Sequence, residues 1–267
     1  MLSNDTTAAA GTAGSVELAR NGPVATVTLN RPAKLNAITP AMADQLRECV
    51  ATVNADDRIR VAVLTGAGPR AFCVGSDVTG LDEYATPWQF RNRLDYGDLL
   101  RGVRKPVIAA VNGYAFGGGL EIALACDIRL ASSNATFAAP EIKLGWIGGS
   151  GQSALLAHSI GASNAALMLL TGDPVDAAQA RAWGLVSTVT EPGRLAAAAH
   201  ELAATIAARA PIAAQTAKAN LRAAHSMPLD QAIAYERDLQ TICFATEDAT
   251  EGRRAFTEKR APVFRRR

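Results

Sequence analysis

Asn112-Gly-Tyr-Ala-Phe-Gly-Gly-Gly-Leu-Glu-Ile-Ala-Leu-Ala-Cys-Asp127 is the stretch that decides the fold. Two short apolar runs flank it, Val107-Ile-Ala-Ala-Val111 and Ile128-Arg-Leu-Ala131, and their lengths suit buried strands. Between them a triple glycine, Gly117 to Gly119, leads into an apolar helix expected from about Gly118 to Ala125. One residue breaks the character of that helix. Glu121 is enclosed by Leu120, Ile122, Ala123 and Leu124, where an ionised carboxylate is costly to bury, so its presence asks for a chemical reason. A glycine turn opening a helix lets a ligand approach the backbone and leaves the first N–H groups unpaired, a place that attracts negative charge. The same three glycines would equally permit two backbones to pack closely.

The alternation extends in both directions. Val16 to Arg20 and Val24 to Leu29 read as a hairpin joined at Asn21-Gly22, with Pro23 just after. From Pro40 to Val53, Met42, Leu46, Val50 and Val53 recur at helical spacing, and Val61-Ala-Val-Leu-Thr65 is a buried-strand pattern ended by Gly66. Strand, strand, helix is thus a repeated unit, and the fold class is α/β. After Gln152 the chain reads mostly helical, with one strand candidate at Leu185 to Val189. Beyond Arg194 it is alanine-rich and helical, broken at Pro211 and Pro228, a candidate region for docking or oligomerisation. The expected division is a disordered tail over 1–14, a core over 15–200 and a helical region over 201–267.

Composition narrows the function. With 267 residues, 49% of them hydrophobic, the chain can fill a large core, and a net charge of +2 argues against nucleic-acid binding. The only basic cluster, Arg265 to Arg267, is expected to be a solvated tail. The four cysteines are scattered without a CxxC pair, so neither a zinc site nor a disulfide framework is expected. Met1 to Gly14 lack a signal core or transit-peptide arginines, and no apolar run approaches the roughly 20 residues of a membrane span. A cytoplasmic protein without membrane attachment is the expectation.

Several segments have residues suited to chemistry. Ala71-Phe-Cys-Val-Gly-Ser-Asp77 is a second glycine turn that could present a backbone N–H near Gly75 and Ser76, and two such donors would make an oxyanion hole. Glu141, in Ala139-Pro-Glu-Ile-Lys-Leu-Gly145, reads by itself as a surface or helix-start residue. Beside Glu121 and two oxyanion donors it would complete a site in which two carboxylates handle a water and a proton. Gly148-Gly-Ser-Gly-Gln152 only superficially suggests a nucleophile elbow, because Gln152 replaces the last glycine and no His and Asp arrangement supports it. His158, His200 and His225 lie apart on helical stretches and read as surface residues. No phosphate loop or dinucleotide fingerprint is present.

At these residues the chain resembles the crotonase superfamily, the enoyl-CoA hydratase/isomerase family. The matching landmarks run in order: Asn30-Arg-Pro-Ala-Lys-Leu-Asn-Ala37, Phe72-Cys-Val-Gly-Ser-Asp77, Lys105 to Gly113, Gly117-Gly-Gly-Leu-Glu121, Cys126-Asp127, Pro140-Glu-Ile-Lys-Leu-Gly145, Leu170-Thr-Gly-Asp173, Gly184-Leu-Val186 and Ala255-Phe-Thr-Glu-Lys-Arg260. The resemblance implies a crotonase-like spiral of repeated ββα units with a helical C-terminal region that builds homotrimers, often paired into hexamers. It places an oxyanion hole at the backbone N–H groups of Ser76 and Gly118, and the two catalytic glutamates at Glu121 and Glu141. Lys34, Leu35, Asn36, Ala37 and Val74 would line a coenzyme A channel, with Phe256 and Lys259, from the same or a neighbouring subunit, near the adenine and phosphates. Coenzyme A enters as part of an acyl-CoA thioester substrate, and neither a separate cofactor nor a metal is implied.

The implied reaction is reversible addition of water to 2-enoyl-CoA thioesters, with Glu121 activating the water and Glu141 donating a proton, although the sequence does not separate the two roles. Relatives on this fold also isomerise and hydrolyse acyl-CoA thioesters, so double-bond isomerase, hydrolase and catalytically weak acyl-CoA-binding readings stay open. Two departures stand out. Similar hydratases tend to read Leu-Gly-x-x-Pro-Gly-x-Gly-Gly-Thr-Gln-Arg-Leu where this chain has Leu144-Gly-Trp-Ile-Gly-Gly-Ser-Gly-Gln-Ser-Ala-Leu-Leu156, and Ala-Gly-Ala-Asp where it has Val74-Gly-Ser-Asp77. Trp146 is expected near the acyl pocket, where it could shorten the pocket, stack on an aromatic acyl group or simply pack.

Overall fold

A computed structural model describes residues 13–78 and 84–267. The expected tail over 1–14 lies outside the described residues as far as residue 12, and Gly14 already backs onto Met42 and Arg31.

The chain opens with strands β1 (Ser15–Asn21) and β2 (Val24–Asn30), antiparallel with Asn21 opposite Val24, so Gly22 and Pro23 form the turn. Helix α1 (Pro40–Ala55) follows. Its N-terminus is capped by Thr39, whose hydroxyl accepts from the Met42 N–H at 3.2 Å, and its inner face buries Met42, Ala43, Leu46, Cys49 and Val53. From β3 (Val61–Gly66) onward, strands come in pairs: β3 with β4 (Ala71–Cys73), β5 (Val107–Val111) with β6 (Tyr114–Phe116), and β7 (Ile128–Ser132) with β8 (Thr136–Ala138). The first strand of each pair joins a six-stranded sheet of order β1-β2-β3-β5-β7-β10, and the second joins a four-stranded sheet of order β4-β6-β8-β9. Each unit therefore crosses from one sheet to the other, and the chain spirals.

Helices separate the units: α2 (Pro87–Arg91) and α3 (Tyr96–Arg101) after the first pair, α4 (Gly118–Ala125) after the second, and α5 (Gln152–Thr171) after the third. The strands within the six-stranded sheet from β2 to β10 run parallel, and the central β3 and β5, covered on both faces, have unbroken apolar runs. In β5, Val107, Ala109 and Val111 face the main core, while Ile108 and Ala110 face a second cluster completed by α7 (Leu195–Ala207). Leu195, Ala199, Ala203 and Ala207 form that helix's inner stripe, so a boundary at residue 200 would fall inside an element packed on the sheet.

Near Leu185 the strand is shorter than expected, β10 being only Thr188–Thr190 after β9 (Val175–Asp176) and α6 (Ala177–Trp183). Gly184, left-handed at φ 85°, ends α6 and turns Leu185 and Val186 into the core before extended structure begins. The C-terminal region continues with α8 (Pro211–Ala223), α9 (Leu229–Phe244) and α10 (Glu247–Thr257), with Pro211 at the first turn of α8 and Pro228 as the cap of α9. Helix α8 is held to the core by Lys218, whose ammonium donates to the Asp127 carboxylate and to the Lys105 carbonyl, both at 2.7 Å.

Three other expectations are corrected. The arginine-rich end is not a solvated tail: the Asp248 carboxylate accepts from the N–H groups of Arg265 and Arg266 at 2.6 and 2.8 Å, and Arg60 donates to the Phe264 carbonyl at 2.7 Å. His158 and His225 do not lie apart, since α5 and the end of α8 bring their rings to 4.6 Å, although both are exposed. Helix α5 is long and apolar enough to cross a membrane by length and composition, a feature hidden by the uncharged polar residues that punctuate it. It breaks at Gly161, whose φ of 78° and ψ of 159° are not helical, and Leu156, Ile160, Ala165 and Met168 face the core.

Candidate active site

The loop after β4 is tied to the segment after β2. The Ile38 N–H donates to the Gly75 carbonyl at 2.8 Å and the Asp77 N–H donates to the Ile38 carbonyl at 2.9 Å, an isolated parallel bridge centred on Ser76. Because an extended chain alternates the direction of its peptide groups, the Ser76 N–H faces away from Ile38. The start of α4 adjoins this loop: a Cβ on Gly75, which is left-handed at φ 93°, would stand 2.8 Å from the Gly118 nitrogen. Ser76 and Gly118 are therefore brought together, and neither N–H donates to an acceptor among the described residues.

The three glycines divide between the two readings of the turn. Gly119 has no room for a side chain because a Cβ there would run into the Cys73 carbonyl, which is close backbone packing. Gly117 adopts φ 54° and ψ −124°, and a Cβ there would stand 2.8 Å from Glu141 Oε1. The turn is thus pressed against a carboxylate from another unit of the spiral.

Glu121 lies in the first turn of α4 and is only 4% exposed; its Oε1 accepts from the Ser150 N–H at 2.7 Å. Ser150 is itself fixed, its hydroxyl donating to Asp95 Oδ2 at 2.5 Å and its carbonyl accepting from Arg101 Nη1 at 2.7 Å. Glu141 opens the 3-10 turn Pro140–Leu144 and is 9% exposed. Its two oxygens each lie 3.2 Å from the amide nitrogen of Gln152, which starts α5 and is fully buried. Burial pushes the Glu121 carboxyl above the ordinary glutamate range, and the negative charges of Glu141 and then Asp95 push it further, against the Ser150 N–H. Burial also raises Glu141, against the Gln152 amide. Burial favours the protonated form of each, so one can hold a proton while the other serves as base.

Tyr96, Asp95, Ser150 and Gln152 were not assigned to the site from sequence. Ser150 and Gln152 stand inside a stretch already marked as departing from the usual pattern, and that departure was the available signal. The nucleophile-elbow reading stays rejected, since the Ser150 hydroxyl serves Asp95. Tyr96 carried no signal: it opens a six-residue helix, yet its hydroxyl sits 2.6 Å from Ser76 Oγ and against the Gly118 Cα. Burial raises its pKa above the ordinary phenol value, so it keeps its proton. Ser76 and Tyr96 line a cavity of about 230 Å³ shared with Ile38, Tyr84, Arg93 and Leu94. A larger open groove of about 740 Å³ follows the C-terminal helix past Asp248, Glu251 and Arg260, and none of these site residues lines it.

Among the residues expected along a coenzyme A channel, Asn36 has a different task. It is fully buried, its oxygen accepting from the Arg31 N–H at 2.8 Å and its amide donating to the carbonyls of Ala67 at 3.0 Å and Ala71 at 2.8 Å. Both amide hydrogens are engaged inside the protein, so the side chain shapes the loop and has no donor to offer a ligand. Arg31 reinforces the same loop through Asp77 at 2.7 Å. Lys34 is exposed, Leu35 and Val74 are half-buried and Ala37 is buried. Trp146, 44% exposed, follows the turn that bears Glu141. Phe256, 86% exposed, and Lys259 stand at the end of α10, and among the described residues no hydrogen bond or ion pair joins them to the Ser76–Glu141 cluster.

Residues 19–267 match the sequence profile of the enoyl-CoA hydratase/isomerase family, and the chain belongs to that family of enzymes. It is 43% identical over 252 residues to the (E)-benzylidenesuccinyl-CoA hydratase of Thauera aromatica, covering 94% of this chain and 98% of that protein. The 2,3-dehydroadipyl-CoA hydratase of Escherichia coli is 40% identical over 251 residues, covering 94% and 98%. Among solved structures, the enoyl-CoA hydratase of Polaromonas sp. JS666 superposes with a TM-score of 0.89 at 32% identity, covering 94% of this chain and 100% of that one. The crotonase-like spiral is the fold of these neighbours.

Proposed function

We propose that this protein reversibly hydrates 2-enoyl-CoA thioesters. The carrying observation is that two buried carboxylates, Glu121 in the first turn of α4 and Glu141 against Gly117 at the start of that helix, each with its own donor, flank the glycine turn beside the Ser76–Gly118 pair. The thioester oxygen sits between the Ser76 and Gly118 N–H groups, and a water lies between the carboxylates. Glu121 takes a proton as the water oxygen bonds to the β-carbon; the electron pair of the double bond moves toward the thioester, where the two N–H groups stabilise it; the α-carbon takes the proton held by Glu141. The product is a 3-hydroxyacyl thioester, and the pair again shares one proton.

The same reading lets Lys34, Leu35, Ala37 and Val74 border the coenzyme A channel together with the backbone of Asn36. Phe256 and Lys259 approach the nucleotide end from a neighbouring subunit, and Trp146 borders the acyl group. Residues 201–267 assemble trimers or paired trimers, supported by the exposed Leu221, Leu229, Ile242 and Phe244 on α8 and α9. The protein works in the cytoplasm, consistent with buried, unpaired thiols at Cys49, Cys73 and Cys126.

The test follows loss of the conjugated enoyl absorbance with crotonyl-CoA and with benzylidenesuccinyl-CoA and 2,3-dehydroadipyl-CoA, the thioesters that name two relatives. Wild type converts at least one, and Glu121→Gln or Glu141→Gln lowers kcat by about 10²–10⁴. Conversion of 3-enoyl-CoA alone, or release of free CoA thiol, would replace hydration with isomerisation or hydrolysis.

A further inference from the structure

The hydration reading gives the thioester oxygen two main-chain donors, and the same spot holds a pair of side-chain hydroxyls. Ser76 Oγ and the Tyr96 hydroxyl are 2.6 Å apart. Two hydroxyls carry two protons, and the bond between them uses one, whichever oxygen donates. The second proton has no acceptor among the described residues. Tyr96 is 9% exposed and Ser76 is half-buried at a cavity wall, so this proton is open to a ligand that reaches the pair.

Its position identifies what arrives. The Tyr96 hydroxyl occupies the place where any side chain on Gly118 would begin, and Gly75 backs onto the Gly118 nitrogen. Ser76 and Tyr96 both line the 230 Å³ cavity. Serine at 76 stands where similar hydratases tend to carry alanine, so the hydroxyl pair is a property of this chain and not of the usual pattern. We propose that the Ser76–Tyr96 pair donates a third hydrogen bond to the substrate's thioester oxygen, joining the two N–H groups of Ser76 and Gly118. Tyr96 is suited to this because its proton stays on at any physiological pH. The proposal rests on the hydration reading.

Tyr96→Phe removes the phenolic O–H and keeps the ring, whereas Ser76→Ala removes the partner and keeps the backbone N–H. Each is expected to lower kcat by about tenfold to a hundredfold with KM within about threefold, since the third bond strengthens as charge develops on the oxygen. The double variant should be little worse than either single one, because the pair acts as a unit. A second readout is spectroscopic. An aromatic enoyl-CoA bound to the hydration-deficient Glu141→Gln protein should absorb at longer wavelength than free thioester, and adding Tyr96→Phe should reduce that shift. Unchanged kcat and an unchanged absorbance shift in a folded Tyr96→Phe protein would overturn the proposal. If Tyr96→Phe does not fold, as judged by its thermal melt, Ser76→Ala decides by the same two readouts. Wild-type turnover with no effect of either variant removes only the third bond, whereas a wild type inert on all enoyl thioesters removes the hydration reading together with it.

Discussion

Gly148 and Gln152 fit only as a pair. A Cβ on residue 148 would stand 2.7 Å from the Gln152 Cβ and 2.6 Å from its Oε1, so the residue that lacks a side chain makes room for the one that reaches Glu141. These are the positions where the chain departs from the proline and glycine of similar hydratases, and the two departures account for each other.

Gly148→Ala should therefore displace the Gln152 side chain and destabilise the protein by about 1–3 kcal/mol through overpacking. Gln152→Ala removes the donor from a buried carboxylate, which makes Glu141 harder to ionise and moves the alkaline limb of the rate–pH profile, where Glu141 loses the proton it donates, to higher pH. Joining Gly148→Pro to Gln152→Gly should give a higher melting temperature than Gly148→Pro alone. Thermal melts and a rate–pH profile of the four variants check this.

Replacing Glu121 with glutamine should stabilise the fold at neutral pH. In the folded protein the carboxyl holds its proton above the ordinary value of 4.5, so its favourable contribution is complete below that value and is lost as pH rises through the folded one. Glutamine does not ionise. Urea unfolding should show Glu121→Gln more stable than wild type at about pH 7, with the advantage vanishing toward about pH 4. An equal midpoint at both pH values would contradict the burial of an ionisable group.

Gly119→Ala presses a methyl into the Cys73 carbonyl, a backbone atom that cannot swing aside. A loss of about 3 kcal/mol is expected by denaturant titration. Gly193→Ala is the control: its Cβ would meet nothing within 4 Å, so stability should hold within about 0.5 kcal/mol or rise slightly.

Asp127→Ala strands a charge. Lys218 is buried, and the Asp127 carboxylate that receives it at 2.7 Å also accepts from the Val107 N–H at 2.8 Å. Removing the acid should cost about 3–5 kcal/mol, read from unfolding midpoints, because the ammonium is left in the interior with the Lys105 carbonyl alone. Adding Lys218→Met should recover much of that loss.

Sequence periodicity located the elements that are long or apolar. Helix Gly118–Ala125 and strand Val107–Val111 lie where their apolar runs predict, because both are buried on every side. Strands β4, β6 and β8, three residues each, are too short to show a period, and the second sheet they build was not visible. Leu185 and Val186 misled because a turn can be as buried as a strand. At the candidate site, Gly118, Ser76, Glu121 and Glu141 were gathered by ordered motifs rather than by period. The contacts of Asp95, Tyr96, Ser150 and Gln152 bridge residues 11 to 55 positions apart, and no local pattern encodes such reach.

With each strand pair crossing from the long sheet to the short one, the two acids fall in different units of the spiral. Glu121 follows the second pair and Glu141 the third, yet both side chains are oriented from one short segment after the third pair, Glu121 by Ser150 and Glu141 by Gln152. Substitutions within these three consecutive residues can therefore retune either carboxylate while both acids stay in place.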